Sequence, residues 1–231
     1  MIFLENLMLT GILSLGLALA PPAASSISGS VSGTVTLVKA GVPRRDGSDA
    51  VVWIEGFRRP GTKAVHVVMK SEQKKFTPHV VAAPRAVAVE FPNEDPIYHN
   101  VFSVSGSNRF DLGLYRSGVS RTKEFDQPGL VQVYCNIHPQ MIGYVMIVDS
   151  DCFAVTGRDG SFRFRDIPAG DYELKAWHEE GGETRLPLTV RAEADTPVTV
   201  AIDVSRHRFV PHKNKYGKDY PPQAGSDDDR Y

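Results

Sequence analysis

Val131-Gln132-Val133-Tyr134-Cys135-Asn136-Ile137-His138-Pro139-Gln140-Met141-Ile142-Gly143-Tyr144-Val145 is the stretch whose reading decides the fold. Val131, Val133 and Cys135 fall on one face of a period-two strand, which carries the thiol inward beside two valines. A second short apolar strand follows over 144–148. Two strands therefore flank a tight loop bearing a thiol (Cys135), an imidazole (His138) and a thioether (Met141). A second imidazole, His99, lies upstream in Tyr98-His99-Asn100-Val101.

Outward from this loop, period-two patterning continues. Short apolar runs at 31–38, 50–55, 64–69, 80–83, 87–91, 100–104 and 121–125 are each bounded by Gly, Pro, Asn or Asp. Beyond residue 153 a second set follows at 162–165, 172–177, 186–190 and 198–204, with the turn signatures Arg158-Asp159-Gly160-Ser161 and Ile167-Pro168-Ala169-Gly170-Asp171. No long segment after the N-terminus has a 3.6-residue apolar repeat. With 20 glycines and 16 prolines in 231 residues, the chain reads as all-β, built from β-sandwiches.

Composition limits the function. Lys+Arg is 26 and Asp+Glu is 27, a balance that favours neither nucleic acid nor an anionic membrane as partner. The apolar run 7–20 is shorter than the ~20 residues of a membrane span. Followed by Ala23-Ala24-Ser25-Ser26, it reads as a signal peptide over 1–25, although Glu5 stands where basic residues are usual. A periplasmic, monomeric protein without stable membrane insertion is the expectation. The polar segment 206–231, ending in Asp227-Asp228-Asp229, is too poor in apolar residues to offset its ordering entropy and is expected to be disordered or loosely draped.

The donors point to chemistry. Thiolate and thioether suit copper, and imidazole accompanies them; two His, one Cys and one weak axial Met is the donor set of a one-copper electron-transfer site. His99, Cys135, His138 and Met141 are the candidate ligands. Other readings remain. Cys135 and Cys152 are the two cysteines of the chain, and an exported protein can pair them. Zinc prefers four strong donors, and Met is a weak one. A c-type haem needs Cys-x-x-Cys-His, which is missing. His66 and His79 read as structural, and Trp177-His178-Glu179-Glu180 as a solvated turn. No Ser/His/Asp or paired-carboxylate arrangement stands out, so the expectation is a carrier, not an enzyme.

The stretch 76–148 resembles the cupredoxin family, in particular its plastocyanin, pseudoazurin and amicyanin members. Phe76-Thr77-Pro78, Phe91-Pro92-Asn93, His99-Asn100, Cys135-x-x-His138-x-x-Met141 and the closing Met141-Ile142-Gly143-Tyr144-Val145 carry the likeness. The resemblance implies one type 1 copper, with Asn100 hydrogen-bonding across to the ligand loop. It implies His138 as an exposed electron port inside a docking rim of Pro96, Ile97, Pro139 and Ile142. The implied partner is a redox protein of the c-type cytochrome or dehydrogenase class. Ala86 stands where the family usually has Gly, so a different turn is expected there. Residues 153–204 resemble the transthyretin-like, carboxypeptidase regulatory-like β-sandwich through Thr156-Gly157-Arg158-Asp159-Gly160 and Ile167–Leu174; Ser32-Gly33-Thr34-Val35 and Ala50–Ile54 look like its opening strands. This favours residues 28–58 and 150–205 as one sandwich interrupted by a cupredoxin at 62–149, over the alternative in which 28–58 extend the cupredoxin. With the tail Asn214-Lys215-Tyr216-Gly217-Lys218-Asp219-Tyr220, the combination resembles bacterial proteins described as plastocyanin-like or methylamine-utilisation proteins. A copper carrier or sensor without electron transfer, and an envelope interaction module with incidental copper, are the rival readings.

Overall fold

The computed structural model describes residues 27–59 and 65–221. The expected signal peptide at 1–25 lies outside them. The described residues hold strands, one 3-10 turn (Gly106–Asn108) and no α-helix. Among them no helix is long and apolar enough to cross a membrane.

The strands form two β-sandwiches, one inserted into the other. Ser28–Lys39 runs antiparallel to Ser161–Pro168 and parallel to Asp195–Asp203. Val51–Ile54 lies between Phe153–Val155 and Gly170–His178, with Gly182–Val190 at the edge. These two sheets enclose one core, containing Val35, Val52, Ile54, Phe162, Leu174 and Ile202. Strands from before residue 58 and after residue 150 thus share sheets and a core. Gly33 is required at this point, because a Cβ there would sit 2.5 Å from the Phe162 ring and 2.5 Å from the Val198 carbonyl oxygen.

The inserted sandwich has a five-stranded sheet in the order Phe110–Tyr115, His99–Ser103, Gly129–Tyr134, Ile142–Val148, Val80–Pro84. Opposite it lie Ser120–Glu124, Ala88–Pro92 and Val67–Val68. Cys135, Val131 and Val133 face the core between these sheets, with Phe91, Phe125, Val145 and Ile147.

A third apolar layer joins the two sandwiches. Tyr144, Met146 and Val148 alternate with Val145 and Ile147, and pack on Val51, Trp53 and Trp177. This layer explains why 51–54, 80–83 and 144–148 read as unbroken apolar runs: each is buried on both faces. Near it, His79 reaches Glu179 across the junction at 2.9 Å.

Some elements differ from expectation. The strand Phe110–Tyr115 escaped the pattern reading because Gly113, at φ +71°, breaks the alternation with a register shift between Asp111 and Leu114. Ala86 adopts left-handed backbone, at φ +60°, which its Cβ disfavours. His178 is buried, not in a solvated turn: alternation puts it on the face of Leu174 and Ala176, towards the enclosed core and away from Trp177 in the junction. The C-terminal residues also differ. Those up to 221 are described; 206–211 are exposed, whereas His212, Lys215 and Tyr220 hold the segment after them against the loop instead of leaving it loosely draped. They need no apolar core of their own, because aromatic stacking and hydrogen bonds to an existing surface hold them.

Candidate metal centre

Three donor atoms converge at one end of the inserted sandwich. The strand that starts at His99 brings its imidazole beneath the loop that leaves the strand Gly129–Tyr134. That loop closes on itself: Met141 N–H donates to the His138 carbonyl (3.0 Å) and Cys135 N–H to the Met141 carbonyl (3.4 Å). The closure points Cys135 and His138 back towards His99. His99 Nδ1 and His138 Nδ1 lie 3.1 Å apart, and the Cys135 sulfur lies 3.8 Å and 3.6 Å from them. Donors bound at ~2.0–2.3 Å to one centre cannot be more than about 4.6 Å apart, and these satisfy that condition. They are the one such His/Cys/Asp/Glu group among the described residues.

Burial and hydrogen bonding prepare these atoms. Cys135 and His99 are 0% exposed and His138 is 8% exposed. Burial pushes the Cys135 thiol up, while the backbone N–H groups of Ile137, Asn100 and His138 favour its thiolate. The sulfur is therefore a thiol when alone and becomes a thiolate when a cation replaces the proton. Burial lowers the His99 imidazole below its usual value, against the pull of Asp95. His99 Nε2 donates to Asp95 Oδ2 (2.7 Å), which leaves the Nδ1 lone pair free to face the other donors. Asp95 is itself fixed. Burial would raise its carboxyl, but the N–H groups of Lys74 and Gln73 and the His99 ring hold it below the usual range. Asn93, 1% exposed, shapes the turn by donating to the Ile97 and Tyr115 carbonyls and accepting from Asp95 N–H.

Met141 is fully buried in the same core as Cys135. Both cysteines are free and buried, so the disulfide reading fails; burial, against the pull of Arg59, pushes the Cys152 thiol up to about 12. Asn100 does not bridge to the ligand loop through its side chain. Its amide donates to Asp111 Oδ1 (2.8 Å), and its backbone N–H reaches the Cys135 sulfur. Of the expected rim, Pro96 is exposed and Ile97 and Pro139 are half-buried. Ile142 belongs elsewhere: its alternating position turns it into the layer between the sandwiches. Tyr98 and Ile137, next to Ile97 and His138 in sequence, are exposed.

No protein-family profile matches the chain, and no curated protein does. Among solved structures, it is similar to the Cu-containing nitrite reductase (NirK) from Thermus scotoductus SA-01, at 26% identity and TM-score 0.34, over 39% of this chain and 24% of the reductase. It is also similar to the Novel Purple Cupredoxin from Nitrosopumilus maritimus, at 19% identity and TM-score 0.32, over 35% of this chain and 98% of that protein. A reduced amicyanin variant matches at 19% identity and TM-score 0.34, over 42% of this chain and 97% of its own. The chain thus spans about a quarter of the length of the reductase.

Two features were missed by sequence reading. Asp95 lies four residues before His99 in Pro92-Asn93-Glu94-Asp95-Pro96, and a carboxylate so near a candidate ligand is the signal that marks it. The second is the contact between the C-terminal segment and the ligand loop. His212 stacks on Tyr134, with ring centroids 4.1 Å apart, and Tyr220 donates to the Cys135 carbonyl (2.8 Å). Neither residue type nor spacing signals this, because the partners are 78 to 85 residues apart in sequence.

Proposed function

We propose that the protein is an exported, mononuclear type 1 copper protein that carries single electrons between redox partners. The observation that carries this reading is the convergence of His99, Cys135 and His138 in a buried group that already satisfies the spacing of a metal centre. The donor types suit copper: one soft thiolate, two imidazoles, and the thioether of Met141 in the same core. Copper, when bound, supplies the one-electron couple. The chain's own residues do the rest. Asp95 orients His99, the closed loop holds Cys135 and His138, and the apolar core excludes water. Little reorganisation on electron transfer follows from such holding.

His138, the least buried of the three donors, is the electron port. Pro96, Ile97, Tyr98, Ile137 and Pro139 form the apolar rim for a brief encounter with a redox protein, of the c-type cytochrome or dehydrogenase class. The interrupted sandwich, which resembles transthyretin-like domains, is a scaffold in this reading. The signal-peptide pattern at 1–25 supports delivery to the periplasm.

The test is to load the full-length protein with Cu(II) and record its visible spectrum. An intense thiolate-to-copper absorption, with one copper per chain, is expected, and Cys135→Ser abolishes it while leaving the far-UV spectrum unchanged. A colourless wild type, or colour that survives in Cys135→Ser, sinks the reading.

A further inference from the structure

We propose that residues 212–220 are a positioning strap that holds the two ligand-bearing segments in register; the metal's identity as copper rests on the function proposed above, the strap itself does not. Its attachments fall on both sides of Cys135 and His138. His212 Nε2 donates to the Pro139 carbonyl (2.8 Å), and its ring stacks on Tyr134. The Tyr220 hydroxyl donates to the Cys135 carbonyl (2.8 Å) and lies 3.3 Å from His212 Nδ1, so the two aromatic residues brace each other. Lys215 N–H donates to Asn136 Oδ1 (3.0 Å). Four consecutive or nearly consecutive loop positions, 134, 135, 136 and 139, are thus tied from outside.

A further attachment reaches the upstream ligand. Lys215 Nζ pairs with Asp111 Oδ2 (2.7 Å), and Asp111 Oδ1 accepts from the Asn100 amide (2.8 Å). Asn100 follows His99, and its backbone N–H faces the Cys135 sulfur. The strap therefore adds a second tie, from outside, between the His99 strand and the Cys135–His138 loop, which the sheet pairing of Tyr134 with Phe102 already sets side by side. It is shaped to do so. Asn214 Oδ1 accepts from the N–H groups of Tyr216 and Lys218, and Gly217 takes φ +74°, which folds the segment into a turn that presents Lys215 and Tyr220 to their partners. The loop's own closure is two backbone hydrogen bonds. The Cys135 and Pro139 carbonyls and the Asn136 side chain find their partners in the strap.

The experiment uses the full-length protein with the single variant Tyr220→Phe, the double variant His212→Ala/Tyr220→Phe, and His212→Gln. Amide hydrogen exchange of the metal-free protein is expected to rise about tenfold or more over 135–141 in the double variant, less in Tyr220→Phe, with the strands of both sandwiches unchanged. His212→Gln, whose amide still donates to the Pro139 carbonyl, restores part of the protection. In the copper-loaded protein the same variants release copper to a chelator about tenfold faster, and shift the visible band and the reduction potential. Unchanged loop exchange and unchanged release overturn the proposal. So does faster exchange throughout the molecule, which marks a loss of global stability instead of loop positioning. A wild type that binds no copper overturns the proposed function, while the metal-free exchange still decides the strap.

Discussion

At the scale of single residues, Asp95 decides how ready the donor group is. Its carboxylate fixes the His99 tautomer and aims the Nδ1 lone pair at the other donors. Asp95→Asn keeps the size but weakens the acceptor, and is expected to lower copper affinity about 10–100-fold, as loss of an outer partner of a ligating His does. Competition against a chelator of known affinity measures this; unaltered affinity would mean that the core alone orients His99. Cys135 illustrates the same logic. Its burial opposes ionisation, yet three backbone N–H groups face it. Such a sulfur is quiet as a thiol and committed once a cation displaces its proton.

At the scale of elements, turns and strand ends decide placement. Ala86 N–H donates to the Phe125 carbonyl (2.8 Å), and this turn links Val80–Pro84 to Ala88–Pro92 with Ala86 at φ +60°. A Cβ in left-handed backbone costs ~1–2 kcal/mol, partly offset by the ~0.4–1 kcal/mol that Ala saves over Gly in the unfolded chain. Ala86→Gly is therefore expected to stabilise the protein by about 0.5–1 kcal/mol, read as a higher denaturant midpoint at unchanged slope. The loop 135–141 is the element that carries Cys135, His138 and Met141. Its short return to Met141, its flanking strands and the strap each remove some of its freedom.

At the scale of the whole molecule, the junction between sandwiches links the scaffold to the donor-bearing unit. Tyr144, Met146, Trp53 and Trp177 fill it, and His79 and Glu179 pair at its edge. The Glu179 hydrogen bond raises the His79 imidazole above its usual value. Burial pushes the Glu179 carboxyl up, but His79 and the Tyr144 hydroxyl hold it below its usual value. A raised folded-state imidazole contributes stability that is fully present below its unfolded value of about 6.5 and is lost as pH rises through the folded value. A depressed carboxyl contributes above its own unfolded value. The pair's contribution therefore lies between about pH 4.5 and somewhat above 6.5. Glu179→Gln is expected to lower Tm more at about pH 6 than at about pH 9, in melts of wild type and variant in matched buffers. An equal deficit at both pH values would show that His79 carries no charge in the folded protein. His178, depressed by burial, depends on Glu179 for electrostatic support, so its response adds in the same direction.

The sequence by itself determined the strand periodicity, the all-β class, the donor types and the loop that carries three of them. These are local properties: alternation reports a buried face, and His138 and Met141 lie within a few residues of Cys135. The unbroken apolar runs at 51–54 and 144–148 could say that both faces are covered, but not by what. Only the tertiary structure decided that a second sandwich covers them. It also turned Ile142 away from the rim, gave the Asn100 side chain to Asp111 and brought Asp95 under His99. The placement of the C-terminal segment was likewise beyond sequence reading. Composition counts apolar residues, whereas His212, Lys215 and Tyr220 are held by directional contacts with residues far away in the chain, and their geometry exists only once both sheets have formed.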